Sequence, residues 1–139
     1  TYLQKRMDEE KPFLVKDALE MLKKIPEYEE GIRNHGGPTL LLGSEKRRAG
    51  KVFVDMTGGT GGSKEAFEKI ARTEVGTIVG MHIGEEHRAE AEKCHLNVII
   101  AGHIPSDSLG FNLLLDELEK QGRLEIIPCS GFRRISRKG

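Results

Sequence analysis

The sequence is poor in the residues that mark disulfide-rich and zinc-ribbon proteins. Its 139 residues include no tryptophan, two cysteines and 5% aromatic side chains. The cysteines, Cys94 and Cys129, have neither CxxC nor CxxH spacing, which argues against a disulfide framework and against a zinc-ribbon site. A reducing compartment fits this cysteine usage best, so we expect a cytoplasmic protein.

Net charge is also missing, because 22 lysine and arginine residues balance 22 aspartate and glutamate residues. This balance gives no attraction to nucleic acid or to an anionic membrane, and we expect neither as a partner. The basic run 133–138 is expected to be solvated rather than to contact phosphate. No apolar run approaches the roughly 20 residues that span a bilayer, and no signal peptide begins the chain.

The apolar pattern predicts a single α/β domain over residues 1–139. Residues at helical spacing predict an amphipathic helix near the N-terminus that ends near Pro26: Leu14, Ala18, Leu19, Leu22 and Ile25. A short helix over 28–33 and a strand over 40–42 follow. Apolar runs at 52–54, 77–79 and 98–100 then alternate with amphipathic or charged stretches at 63–72, 85–94 and 107–121. This alternation favours a mostly parallel sheet flanked by helices.

Three loops follow the predicted parallel strands, at 55–62, 80–84 and 102–107. In an open α/β sheet such loops line the ligand crevice at the carboxyl edge of the strands. The first contains Gly58, Gly59, Gly61 and Gly62. These glycines predict either close approach of the backbone to an anionic ligand or a plain turn with Ser63 as the helix N-cap. The loop does not match the P-loop pattern, because Lys64 follows Ser63.

The second loop places His82 before a charged helix, where it is a candidate site residue at the sheet edge. His87 is expected to lie on the solvated face of that helix. Asp55, at the end of the first parallel strand, is a weaker candidate for a supporting role. His35 and His95 have no other candidate site residues near them in the sequence, and we expect them at the surface.

The third loop carries the sharpest candidates, His103 and Asp107. Imidazole and carboxylate are ligands that zinc, iron and manganese accept, and one strand-to-helix turn can offer both. The alternative is structural: Asp107 or Ser106 caps the helix while His103 makes a structural hydrogen bond. Spacing alone favours the structural alternative, because two ligands do not complete a metal site.

Residues 50–110 resemble the C-terminal half of the Nif-three-like proteins, the dinuclear-metal-centre family also called GTP cyclohydrolase 1 type 2 homologues. The similar features, in order, are a strand with a glycine-rich turn (52–63), a strand ending at a second loop (78–82), and a strand followed by Gly102 and His103, with Asp107 and Gly110 behind. The resemblance implies that His103 and Asp107 are metal ligands, and that the chain forms a homo-oligomer. From the resemblance, and from the start at Thr1 rather than methionine, we also expect the chain to be the C-terminal part of a longer one.

The chain departs from the family pattern at two of its candidate site residues, Asp107 and His82. The family usually has glutamate where this chain has Asp107, and many members have Thr-Gly-Glu where this chain has Gly80-Met81-His82. The family's remaining ligands, a histidine pair and an aspartate, come from its N-terminal half, and nothing in residues 1–50 matches them. We therefore expect a partial site, in which bound metal is absent, weak or different.

Two functions follow from these observations. One is a metal-dependent hydrolase-type activity on a small phosphorylated or nucleotide-like ligand, with a divalent zinc, iron or manganese ion held by His103 and Asp107. In it His82 is a third ligand or the acid/base group, and the glycine loop approaches the ligand. The other is a binding or oligomeric assembly module without catalysis.

Overall fold

The computed structural model describes residues 1–34, 36–57 and 65–137. Within them, four strands form one sheet: β1 (Thr39–Leu42), β2 (Lys51–Asp55), β3 (Val75–Gly80) and β4 (Asn97–Ile100). The helices are α1 (Tyr2–Glu10), α2 (Val15–Lys23), α3 (Pro26–Asn34), α4 (Glu65–Ala71), α5 (Glu85–Lys93) and α6 (His103–Glu119). The α/β class and the N-terminal amphipathic helix, here α2, are confirmed.

The sheet order is β1-β4-β3-β2. The β2, β3 and β4 strands are parallel, whereas β1 runs antiparallel to β4 at one edge. Asp55 is paired with Gly80, and Gly80 with Ile100. The three parallel strands therefore end at the same level, and the loops that follow them meet at one edge.

The two faces of the sheet carry cores of unequal size. On one face, Val52, Val54, Val79 and Ile99 belong to the larger buried cluster with residues of α1, α2, α3 and α6. On the other, Ile78 and Val98 pack with the α4 and α5 residues Phe67 and Ala91. Strand residues alternate between the faces because successive side chains of a strand point in opposite directions.

Helix α1 was not predicted, because residues 1–10 are almost entirely polar. Its buried side is limited to Leu3 and Met7, one turn apart. Gln4 fixes the helix to the sheet: its Nε2 donates to the Val52 carbonyl at 2.9 Å, and its Oε1 accepts from the Val54 amide at 2.8 Å. These bonds occupy backbone groups of the edge strand β2 that would otherwise be open to another strand.

The C-terminal residues pack against α3 and α6, so the expectation of a solvated basic end is wrong for this part of the chain. Arg134 pairs with Asp116 and with Glu119, and Arg137 pairs with Glu27. The two arginine side chains are only 14% and 19% exposed. The apolar run 124–127 forms no strand in this described stretch, since the chain runs over α6 there.

Candidate functional site

The candidate site lies where the three parallel strands end. Met81 to Gly84 connect β3 to α5, and Ala101 and Gly102 connect β4 to α6. The Ala101 amide donates to the Gly80 carbonyl at 2.8 Å, which keeps the two connections side by side. As a result the His82 and His103 rings meet edge to face, with centroids 5.6 Å apart and planes at 65°.

His103 and Asp107 lie on the first two turns of α6. Their side chains face each other, because residues four apart share one side of a helix, and Nε2 of His103 is 3.1 Å from Oδ2 of Asp107. The side chains are 54% and 63% exposed, so the pair is open to solvent and to a ligand.

The start of α6 differs from the prediction. The helix begins at His103 rather than at Asp107, and its N-cap is Gly102, with φ of 97° and no side-chain cap. Glycine suits this position because a left-handed φ strains other residues. Ser106 and Asp107 are therefore inside the helix, and the structural alternative in which one of them caps it is wrong.

Ser106 ties this turn to the rest of the molecule. Its hydroxyl donates to the Gly102 carbonyl at 2.5 Å and lies 2.9 Å from the Tyr28 hydroxyl. Tyr28 is fully buried in α3. Burial raises the pKa of Tyr28 to about 12, although the hydrogen bond with Ser106 acts in the opposite direction. The neutral phenol thus anchors the turn that carries His103.

A cavity of about 390 Å³ opens beside the histidines. Its apolar lining comes from Phe67, Ile78, Ile83, Val98 and Ile100, and its polar lining from Asp55, Thr57, His82 and His87. Asp55 Oδ1 accepts hydrogen bonds from the amide and hydroxyl of Thr57, at 3.1 and 2.6 Å. Asp55, the weak candidate, therefore lies on the rim of the cavity, where it fixes the first turn after β2.

His87 lines this cavity, which sequence reasoning did not predict. It is half-buried rather than fully solvated, and its ring lies 5.4 Å from the Phe67 ring at a tilt of 50°. The available signal was its place in the first turn of α5, directly after a carboxyl-edge loop. His95 is exposed, as expected.

The remaining candidates fall in parts of the chain that the structure does not describe. Gly58, Gly59, Gly61 and Gly62 lie outside the described residues, and so does His35. Among the residues that the structure does describe, no group of three histidine, cysteine, aspartate or glutamate side chains could hold a metal ion. His103 and Asp107 can supply two ligands, and the structure brings one further imidazole, that of His82, close to them.

The fold is of the α/β class, with a mostly parallel sheet and a histidine-lined crevice at the carboxyl edge of its strands. A crystal structure of a NIF3 superfamily protein from Sphaerobacter thermophilus is similar, with a TM-score of 0.68 and 25% sequence identity over 93% of this chain. The chain is thus related to the NIF3 superfamily. It spans 46% of the length of that relative.

Two other comparisons gave no match. No family model matches the sequence, and no curated protein does.

In the described part of the chain no helix is long and apolar enough to cross a membrane.

Proposed function

We propose that this chain supplies part of a divalent metal site with hydrolase-type chemistry, acting on a small phosphorylated or nucleotide-like ligand. His103 and Asp107 are the metal ligands, and His82 is a third ligand or an acid/base group. The observation that carries the proposal is the 3.1 Å approach of the His103 and Asp107 side chains at the start of α6, next to His82, which lines the carboxyl-edge cavity. The NIF3-like relationship supports the same assignment.

The geometry of the pair fits two ligands of one ion. Ligand bonds of about 2.0–2.1 Å place neighbouring donor atoms roughly 3 Å apart, which is the separation of His103 Nε2 and Asp107 Oδ2. The side chains are exposed, so the ion needs no opening of the fold. The described residues offer no preformed group of three ligands, so a complete metal site needs His82 to move toward the pair or needs ligands from outside the described residues. The chain spans about half of its structural relative.

A divalent ion here would lower the pKa of a bound water toward neutrality. This chain's own residues would do the rest. His103 and Asp107 would orient the ion at the end of β4. His82 can exchange a proton with the ligand through a ring nitrogen, because it is exposed and adjoins both His103 and the cavity. The four glycines of the 58–62 loop would approach the ligand's anionic group.

Metal binding by His103 is the first prediction. We expect the purified chain to retain zinc, iron or manganese weakly, and His103→Ala to reduce the affinity by at least about tenfold, as removal of a ligand should. Isothermal titration with each ion, together with elemental analysis after dialysis, measures the effect. Asp107→Asn should act in the same direction because it removes the carboxylate charge.

His95→Asn provides the matched control, since His95 is exposed at a positive φ of 56°, which asparagine tolerates. Its titration should match that of the unaltered chain. Equal metal affinity in His103→Ala and His95→Asn would remove His103 from the site and with it the proposed chemistry.

An assembly module without catalysis is the second candidate. A groove of about 540 Å³ lies between α6 and residues 124–132, and its apolar side chains include the exposed Phe111, Leu124 and Ile127. Ile127 is 77% exposed. Apolar patches of this kind are typical of protein contacts, and the partner we expect is a second copy of the chain.

Sedimentation velocity tests the assembly. The chain should associate at micromolar concentration, and Ile127→Glu should shift it to a monomer while its circular dichroism stays unchanged. Lys120→Gln, at the exposed C-cap of α6, lowers the net charge by the same one unit and serves as the control for the altered charge. A monomer at all concentrations would exclude self-assembly of this chain through the groove.

A further inference from the structure

The interior of the carboxyl-edge cavity is lined mainly by apolar side chains, which have no role in binding a metal ion. We infer that it is a subsite for a planar aromatic ring, which the ligand carries in addition to its reacting group, and that His87 and Phe67 form the wall that recognises this ring. The inference rests on the proposed function only in placing the reacting group at His103 and Asp107.

The floor of the cavity is purely aliphatic. Ile78 and Val98 are almost completely buried, and Ile100 is half-buried at the end of β4. All three line the cavity from the same face of the sheet. A phosphate or a hydrated ion gains nothing from such a surface, because it would lose water without gaining hydrogen bonds. The floor therefore suits an apolar part of a ligand.

The helices contribute an aromatic part of the lining, next to the aliphatic strand residues. Phe67 of α4 and His87 of α5 contact each other at 5.4 Å between ring centroids, and both line the cavity. Aromatic side chains prefer edge-to-face or offset contacts with other rings. Such a wall distinguishes a flat ring from a saturated ring of equal size.

The size and the polar rim agree with this assignment. A volume of about 390 Å³ lies within the range of small-molecule sites, roughly 300–1,000 Å³, in which few polar groups orient a mainly apolar contact. His82 lines the cavity and also adjoins the His103 ring. A ring seated in the cavity thus has its substituent beside His82, whose ring contacts that of His103.

Binding of phenyl phosphate and cyclohexyl phosphate to the 15N-labelled chain tests the subsite. The titrations are done in the presence of a chelator, so the result does not depend on the metal. Phenyl phosphate should bind about threefold or more tightly than cyclohexyl phosphate, because only the flat ring gains contacts with the aromatic wall. The amide signals of Gly80, His82 and Gly84 should shift most.

The variants separate this subsite from the metal site. His87→Ala should abolish the preference for phenyl phosphate, whereas His103→Ala should preserve it even where metal binding is lost. Ile100→Trp, which fills the cavity from the strand end, should weaken both compounds. His95→Asn is the matched histidine control, and circular dichroism establishes that each variant is folded.

Three results would overturn the inference. One is equal affinity for the two compounds, and another is an unchanged preference in folded His87→Ala. The third is a set of shifts confined to residues 107–132, which would place the ring in the groove of Phe111 instead. Failure of the metal prediction alone leaves the subsite standing, because all of these measurements are made without metal.

Discussion

Tyr28 shows how one side chain connects the core to the candidate site. Its ring is completely buried, while its hydroxyl reaches Ser106 at 2.9 Å and, through it, the first turn of α6. The turn holds His103. The position of its imidazole therefore depends on the contact between Tyr28 and Ser106, two residues that are 78 apart along the chain. The contact requires the neutral phenol, because burial penalises the charged form.

The ionisation of Tyr28 should reduce stability at high pH. An unfolded tyrosine titrates near 10, and the folded pKa is about 12. The contribution of the neutral phenol is therefore fully present below pH 10 and is lost as the pH rises from about 10 to about 12. Two units of pKa correspond to on the order of 3 kcal/mol.

Denaturant unfolding of the unaltered chain and Tyr28→Phe at several pH values measures this loss. The phenylalanine variant lacks the ionisable group, so the difference in unfolding free energy between the two proteins should change by about 2–3 kcal/mol between pH 9 and pH 12. A difference that stays constant over this range would show that the phenol titrates normally.

At the scale of single residues, sequence reasoning placed His82, His103 and Asp107 together because each follows an apolar run that becomes a parallel strand. It missed His87, since a helix rich in Glu85, Glu86 and Glu90 has the composition of a solvated face. Whether such a residue lines a cavity depends on Phe67 of another helix, and that contact leaves no local signal.

Among the elements, the C-terminal segment 133–137 is held by charge rather than by apolar burial. Asn112 is completely buried and donates to Glu27 Oε1 at 2.9 Å and to the Arg133 carbonyl at 3.1 Å. Arg137 meets both oxygens of Glu27, at 2.8 and 2.5 Å. A bidentate arginine pair fixes geometry as well as charge.

Asp116 adds an acid-sensitive contact. Burial alone would raise the pKa of Asp116, but hydrogen bonds from Arg134 and from the Arg137 amide together hold it below its ordinary value. Its contribution to stability is therefore present above the unfolded pKa near 3.9 and is lost as the pH falls below that value.

Removing Arg137 should be costly. Arg137→Met leaves the Glu27 carboxylate, 1% exposed, without its cation, and breaking such a pair destabilises by about 3–5 kcal/mol. Chemical denaturation measures the loss. Arg137→Met combined with Glu27→Gln should recover part of it, because no buried charge remains unpaired.

The neighbouring Arg133 provides the control. Its pair with Glu30 is 3.5 Å long and its side chain is 67% exposed, so Arg133→Met should cost less than about 1 kcal/mol. A loss in Arg137→Met as small as that expected for Arg133→Met, below about 1 kcal/mol, would show that the tail contributes little to the stability of the fold.

The prediction of helices and strands succeeded where apolar periodicity was strong. It failed where polar or charged contacts hold a segment in place. Four apolar runs became strands although the run 124–127 did not, and the spacing of Leu19 and Leu22 marked α2. Helix α1 buries only two side chains and is tied down by Gln4, a residue with no apolar signal. The tail also lacks an apolar signal. Its arginines were predicted to be exposed because their partners, Glu27 and Asp116, are distant in the sequence.

At the scale of the whole molecule, the two sides of the sheet differ in how firmly they are covered. Helix α2 alone buries four residues, whereas α4 and α5 bury one each, Phe67 and Ala91. The candidate cavity lies under the weaker side. Regions with few buried apolar contacts open at lower free energy than the core.

Hydrogen exchange should reveal this asymmetry. Amide protons of α4 and α5 are expected to exchange at least about tenfold faster than those of α2, as measured by mass spectrometry of peptides. Phe67→Leu should accelerate exchange in α4 and α5 further and leave α2 unchanged. Uniform protection of all three helices would contradict the unequal layers.

The first and last described turns of the chain lie side by side. The Arg137 guanidinium lies 5.3 Å from the centre of the Tyr2 ring, on the larger-core side of the sheet and away from the cavity. Adjacent ends are a condition for circular permutation. A short glycine linker could therefore join them, and the chain could be reopened at the exposed turn 121–123. Fluorophores attached beside Tyr2 and beside Arg137 would share one corner of the molecule, away from the histidine-lined edge.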